Sequence, residues 1–450
     1  MEAKQDMTTA TKEDISILQN KRQPIVGLII IFGLIGFGFY LNQLKLSLPM
    51  HLLAGVLMGY VLSRGRFGFA GGVKRLVVRG EGSLTKALVV MFAITVFVTF
   101  GIQWYAAQNG AVASFAATAD QAVIPGTQNV AFTNIGTILG GMLFGIGMMF
   151  AGGCASGTLT DMGEGEGRAW IVIVFFVLGS LPGEWARSVI DNQAIGKIGT
   201  QMYLPDSLGY FGALVLSLIG LALIYILTLL YEKKRRENGT SADIYGDWEK
   251  YEQPLVANAN VTNTEKLYHK LFIERWTFMK TGFLIAFIWI FILVSQGKAW
   301  GVTSSFSHLS ATVTNLFNIQ FTNPDLAAIS AKATETGLLN DGGTIRNFGL
   351  IMGAVIAFLM AGKWKWNLDF NKKDSLYFVS GGLLMGFGAR LAKGCNAGAL
   401  FSGISTFSVS GWVFLVAMTI GGLIGLKYFA GKACTLPKLK LKIKGMIKDE

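Results

Sequence analysis

The sequence has little of what most enzyme chemistry uses. Its three histidines, His51, His269 and His308, are scattered without a motif, and its three cysteines include no C-x-x-C pair. That pattern supplies neither a metal-ligand set nor a disulfide framework, so free thiols are the default and no metal or cofactor is expected. No ATP-binding motif occurs, so any work the protein does is driven by a gradient or coupled to later metabolism. Charge is scarce as well: only 15% of residues are Asp, Glu, Lys or Arg. The polar residues 1–23 lack the pattern of a cleavable signal peptide, so the first apolar span is expected to remain as a helix.

What the chain does have is apolar surface and small residues. Hydrophobic residues make up 52%, with 57 Gly and 16 Met, and the mean hydropathy is +0.48. These values predict an all-α, polytopic membrane protein lying in a lipid bilayer, where glycine lets helices approach closely. The net charge of +12 sits mostly beside apolar spans. It therefore reads as a topology signal and not as a nucleic-acid surface.

Apolar spans are predicted at about 24–44, 50–63, 84–106, 135–153, 169–185, 208–231, 281–296, 347–362, 375–393 and 411–429, the second short for a full crossing. The charge-poor stretch 107–134 reads as an external loop, and the second half echoes that order with a short polar-apolar segment at 299–317 followed by a charge-poor loop to about Arg346. The cluster Glu232-Lys233-Lys234-Arg235-Arg236 and the basic run 64–79 point to the cytoplasm. The implied organisation is a cytoplasmic arm at 1–23, a membrane half at 24–231, a cytoplasmic linker at 232–279, a second half at 280–435 and a basic tail at 436–450.

The two halves share one unit. GGMLFGIGMMFAGGCASG at 140–157 and GGLLMGFGARLAKGCNAG at 381–398 match at most glycines and at the cysteine, 241 residues apart (395 − 154). Counting crossings sends the first copy inward and the second outward, which predicts inverted repeats with broken or re-entrant helices. The segment after Cys154 is too rich in glycine to favour continued helix.

A break at Gly-Cys is tolerated in a bilayer only where it is buried in protein or lines a wet path. Each repeated cysteine thus has reason to face a pathway, and a thiol suits a soft sulfur or selenium compound. Substrate-binding candidates are Cys154 and Cys395, with Ser156 and Asn396 as hydrogen-bonding neighbours and Arg390 and Lys393 as cations for an anion. The bland alternatives are cysteines packed as small apolar residues and cations that snorkel to an interface. Cys434 lacks a repeat partner and reads as structural or incidental. Asp161, Glu164 and Glu166 read as a solvated loop, and Glu184 with Arg187 as an interfacial ion pair.

The two repeat segments, with SRGRFGFAGGVKR at 63–75, resemble the YeeE/YedE-type sulfur-transport membrane proteins across both halves. The resemblance implies an hourglass-like inner-membrane protein with short re-entrant helices. It also implies uptake of thiosulfate or a related sulfur or selenium anion past the cysteines carried over at Cys154 and Cys395, with a cytoplasmic sulfur-carrier protein as a candidate partner. A further family cysteine does not carry over, because Gly68 precedes Phe69 here. The expected function is therefore a transporter or channel-like permease and not an enzyme. The alternatives left open are a membrane thiol oxidoreductase or sulfurtransferase, and a structural membrane subunit.

Overall fold

The computed structural model describes residues 22–255 and 262–437, so nearly all of the expected arm and basic tail lies outside the described residues. Helices follow one another as α1 (Gln23–Leu44), α2 (Leu48–Gly65), α3 (Phe69–Arg79), α4 (Ser83–Gln108), α5 (Ile135–Ala151), α6 (Ala155–Glu164), α7 (Gly167–Asn192) and α8 (Leu204–Glu237). After the linker, which carries the short α9 (Asn263–Tyr268), come α10 (Phe278–Gln296), α11 (Ser304–Leu316), α12 (Pro324–Asn340), α13 (Gly342–Met360), α14 (Lys372–Leu391) and α15 (Val409–Tyr428). No sheet forms among the described residues, only isolated bridges. Among the described residues, eight helical stretches are long and apolar enough to cross a membrane, α5 and α6 counting as one. The chain is a multi-pass, all-α membrane protein.

Several ends follow from local chemistry. Asn134 caps α5 and Asn371 caps α14, each in a reciprocal box with the residue three positions on, while Thr277 caps α10. The repeat cores then meet directly. A Cβ on Gly140 would lie 2.6 Å from the Gly388 carbonyl, and one on Gly147 would lie 2.9 Å from the Gly381 carbonyl. Residue numbers rise along α5 as they fall along α14, so the two helices are antiparallel. Adding 241 to one of these contacts generates the other: Gly140 becomes Gly381 and Gly147 becomes Gly388.

The correspondence extends outward. Gly141 and Gly145 of α5 lie against Ala417 and Met418 of α15, and Gly382 and Gly386 of α14 lie against Val172 and Phe176 of α7. Backbone contact this close is available only to glycine and is a main source of cohesion between helices in lipid. A second glycine seam joins α2 to α13 through Gly55, Gly59, Gly349 and Gly353.

Four expectations need correction. The residues after Cys154 do continue as helix: α6 is ten residues long, because its glycines are confined by tertiary packing, Gly163 lying against α13. The acidic segment is consequently no solvated loop. Glu164 is buried, accepts from Ser63 at 2.8 Å and pairs with Arg66 at 3.3 Å, while Asp161 pairs with Arg168 at 2.7 Å. Glu184 and Arg187 do not pair with each other; Glu184 is held by Arg390, and Arg187 by Asp191 at 2.8 Å, one turn on. The loop expected between the 299–317 segment and about Arg346 is largely helical, as α12, since Asn323 caps a helix there.

The linker is docked. Buried Glu252 accepts from Arg66 at 3.0 Å and from Lys363 at 2.8 Å, and Asp247 gathers Arg75, Arg79 and Arg275. Burial alone would raise the Glu252 carboxyl, but the charges of Arg66 and Lys363 bring it down to about 2. Lys363 is itself lowered by burial, so the pair favours the carboxylate more than the ammonium.

Candidate functional site

Helix α5 ends at Gly152, whose φ of +85° turns the chain, and Cys154 then opens α6. Helix α14 ends the same way, at Lys393 with φ +58°, before Cys395 opens a wide turn over Asn396–Ser402. Both cysteines are buried to 1% exposure and unpaired. Because α5 and α14 are antiparallel, their C-terminal ends point to opposite faces.

The surroundings of Cys395 are polar backbone. The N–H groups of Ala397, Gly398 and Val302 are directed at its sulfur. Such a set of amides accepts negative charge, as an opened helix start does. The Cys154 thiol lies 3.4 Å from the Ser156 hydroxyl, and Thr158 bonds the Cys154 carbonyl at 3.0 Å. Asn396 is fully buried; its amide nitrogen donates to the Met148 sulfur at 3.7 Å, leaving its oxygen without a partner. Met148 belongs to the first copy, so Asn396 bridges the repeats.

A cavity of 710 Å³ opens on the face opposite the linker. Lys45, Lys298, Lys332, Arg346, Arg390 and Lys393 line it, against the single carboxylate of Asp341, and both His51 and His308 also face it. Its floor is Gly301, Gly394 and Gly398, directly beside Cys395. A smaller cavity of 290 Å³ shares Asn129, Lys393 and Gly398 with it. The floor is held by Asn129, which donates to the Gly398 carbonyl at 3.0 Å. On the linker face a third cavity, 280 Å³, is lined by Lys74, Gly152, Arg168 and Cys434 among others. The Cys434 backbone N–H is bound to Asp374 at 2.9 Å.

Of the six sequence candidates, two line the outer cavity and four are buried without lining any of the three cavities. Arg390 and Lys393 line the cavity, though each has an acidic partner: Glu184 for Arg390, and Asp191 at 3.3 Å for Lys393. Cys395 and Asn396 follow directly on Gly394 of the cavity lining, and Cys154 and Ser156 are buried together at the start of α6. Sequence reasoning missed Arg346, Gln296, His51 and Lys298. The available signal was Arg346 itself, a lone cation where a charge-poor stretch gives way to an apolar span.

The model of the family described as sulphur transport matches residues 64–424, most of the chain and both repeat copies. The chain belongs to that family. Over 371 residues it is 24% identical to the thiosulfate transporter TsuA of Escherichia coli (strain K12), covering 82% of this chain and 91% of the relative. It is 25% identical to the thiosulfate transporter TsuA of Spirochaeta thermophila over 384 residues, covering 82% and 95%. A shorter match, 27% over 164 residues, is to the probable transporter YedE of Escherichia coli, covering 36% of this chain and 40% of the relative.

Proposed function

We propose that this member of the family carries thiosulfate or a closely related small sulfur or selenium anion inward across the cytoplasmic membrane, as a permease and not as an enzyme. The observation that carries the reading is the basic cavity whose lining includes Gly394, directly before the buried thiol of Cys395. Field lines from six cations in a low-dielectric wall concentrate anions at the mouth. The thiols and amides at the floor then offer soft, weak contacts, tight enough to admit a sulfur anion and loose enough to release it. The antiparallel, self-exchanging contact of α5 with α14 supports inverted repeats whose meeting point is the transport path. On this reading residues 24–231 and 280–435 are the two membrane halves, and the linker face is cytoplasmic.

The test is growth and labelled uptake on limiting thiosulfate in a host without other sulfur importers. Cys395→Ala and Cys154→Ala should each reduce uptake severalfold or more, with protein levels unchanged. Unchanged growth for both would sink the cysteine path. Continued import together with loss of a persulfide, read by mass spectrometry, would instead favour a sulfurtransferase.

A further inference from the structure

We propose that Arg346, Gln296 and His51 form an oxyanion subsite in the outer cavity, holding the oxygen end of the anion before its sulfur reaches Cys395. The proposal rests on the anion-transport reading and adds a division of recognition to it.

Arg346 is 7% exposed and begins near the start of α13, where the chain enters the apolar layer. Its Nη1 donates to the Gln296 side-chain oxygen at 2.6 Å and its Nη2 to the Gly301 carbonyl at 3.1 Å. No carboxylate forms an ion pair with it among the described residues. Asp341, the acid whose field it feels, is engaged elsewhere: by Thr344 at 2.7 and 2.6 Å, and by His308 at 3.8 Å. A buried guanidinium without an acid is costly in this setting and marks a place for an anion.

The neighbouring atoms agree. Arg346 Nε, Gln296 Nε2 and His51 Nδ1 are all buried without a hydrogen-bond partner, and all three residues line the same cavity. Leaving such groups unmatched costs on the order of 1–3 kcal/mol each. Two of them are donors in any state, and the imidazole nitrogen becomes one by choice of tautomer. Hard N–H donors around one cation suit the oxygens of a sulfonate-like group. They do not suit a cation, and they are poorly matched to a terminal sulfur. The soft end has its own destination: the Gly301–Val302 segment that Arg346 holds also directs the Val302 N–H at the Cys395 sulfur.

Sulfate, which has the oxygens without the soft sulfur, is therefore expected to bind this subsite yet fail to pass the thiols. The measurement is calorimetric titration of the full-length, detergent-solubilised protein with sodium thiosulfate and with sodium sulfate at fixed ionic strength. Both should bind the parent, and sulfate should compete with thiosulfate. Arg346→Gln should weaken both by at least about tenfold, the loss of a charged hydrogen-bonding partner. Gln296→Leu, which leaves the guanidinium and its bond to Gly301, should weaken both severalfold and serves as the variant least prone to misfold. Cys395→Ala should leave sulfate affinity unchanged. Unaltered affinities in both Arg346→Gln and Gln296→Leu, or no competition by sulfate, would overturn the subsite. If thiosulfate uptake into vesicles is absent in the parent while sulfate binding still depends on Arg346, the transport reading fails and the subsite stands.

Discussion

Lys393 offers a way to separate the fold from the transport path. It occupies the repeat position of Gly152, since 152 + 241 = 393, and adopts the same left-handed turn, at φ +58° against +85°. A side chain in that conformation costs about 1–2 kcal/mol, and glycine returns roughly 0.5–1 of that through the freedom of its unfolded chain. The ion pair of Lys393 with Asp191 involves side chains 42% and 32% exposed, so it contributes at most about 1 kcal/mol. These terms offset, and Lys393→Gly should leave stability within about 1 kcal/mol of the parent. Transport should behave differently. A unit charge about 7 Å from a dianion in water-like surroundings contributes about 1 kcal/mol, or roughly five- to eightfold in entry. The assay is initial uptake of labelled thiosulfate into proteoliposomes, beside a thermal midpoint in detergent. The uptake deficit should shrink as salt rises, because screening shortens to about 3 Å at 1 M. Parent-like uptake at low salt, or a deficit indifferent to salt, would refute the reasoning.

Three further outcomes follow from the packing and charge. Gly388→Ala places a methyl 2.6 Å from the Gly140 carbonyl and 2.7 Å from the Phe144 nitrogen, so it should cost about 1–3 kcal/mol and lower the thermal midpoint, as should Gly147→Ala; Gly36→Ala, with nothing within 4 Å, is the neutral control. Glu184→Gln leaves Arg390 without its carboxylate, so thiosulfate should raise the thermal midpoint more in this variant than in the parent, and equal shifts would argue against an anion reaching Arg390. Glu252, held at about 2 against an ordinary 4.5, is depressed, so its contribution of about 3 kcal/mol is present above pH 4.5 and lost as pH falls toward 2; Glu252→Gln should abolish that pH dependence of amide exchange in the linker.

Much of the architecture was readable because lipid leaves few choices. Span positions follow from apolar length: 347–362, 375–393 and 411–429 were expected, and α13, α14 and α15 lie within a few residues of them. The glycines shared by the two segments include the ones at which α5 and α14 touch, where a bulkier residue would meet steric conflict. The misread places share a different cause. The helix after Cys154 is rich in residues with poor intrinsic propensity, and it is the packing of Gly163 against α13 that holds it. Glu184 has Arg187 three residues away and Arg390 206 away in sequence, and no local pattern shows that the distant partner wins. Arg346 stands out in the sequence only as a lone cation, and its grouping with Gln296 and His51 is hidden for the same reason, as these come from α10 and α2.

The asymmetry between the copies is the more informative departure from the repeat. Arg390 and Lys393 stand where the first copy has Met149 and Gly152, and both of those cations line the outer cavity. The first copy instead ends near a smaller cavity whose cations, Lys74 and Arg168, come from other helices and are bound to Thr435 and Asp161. An anion therefore meets a wide mouth lined by six cations on one face and a narrow pocket of engaged cations on the other. The two faces thus differ in the size of their cavities and in the number of cations that line them. The two helices share a glycine pattern, and the substitutions at two repeat positions set the cavities at their ends apart.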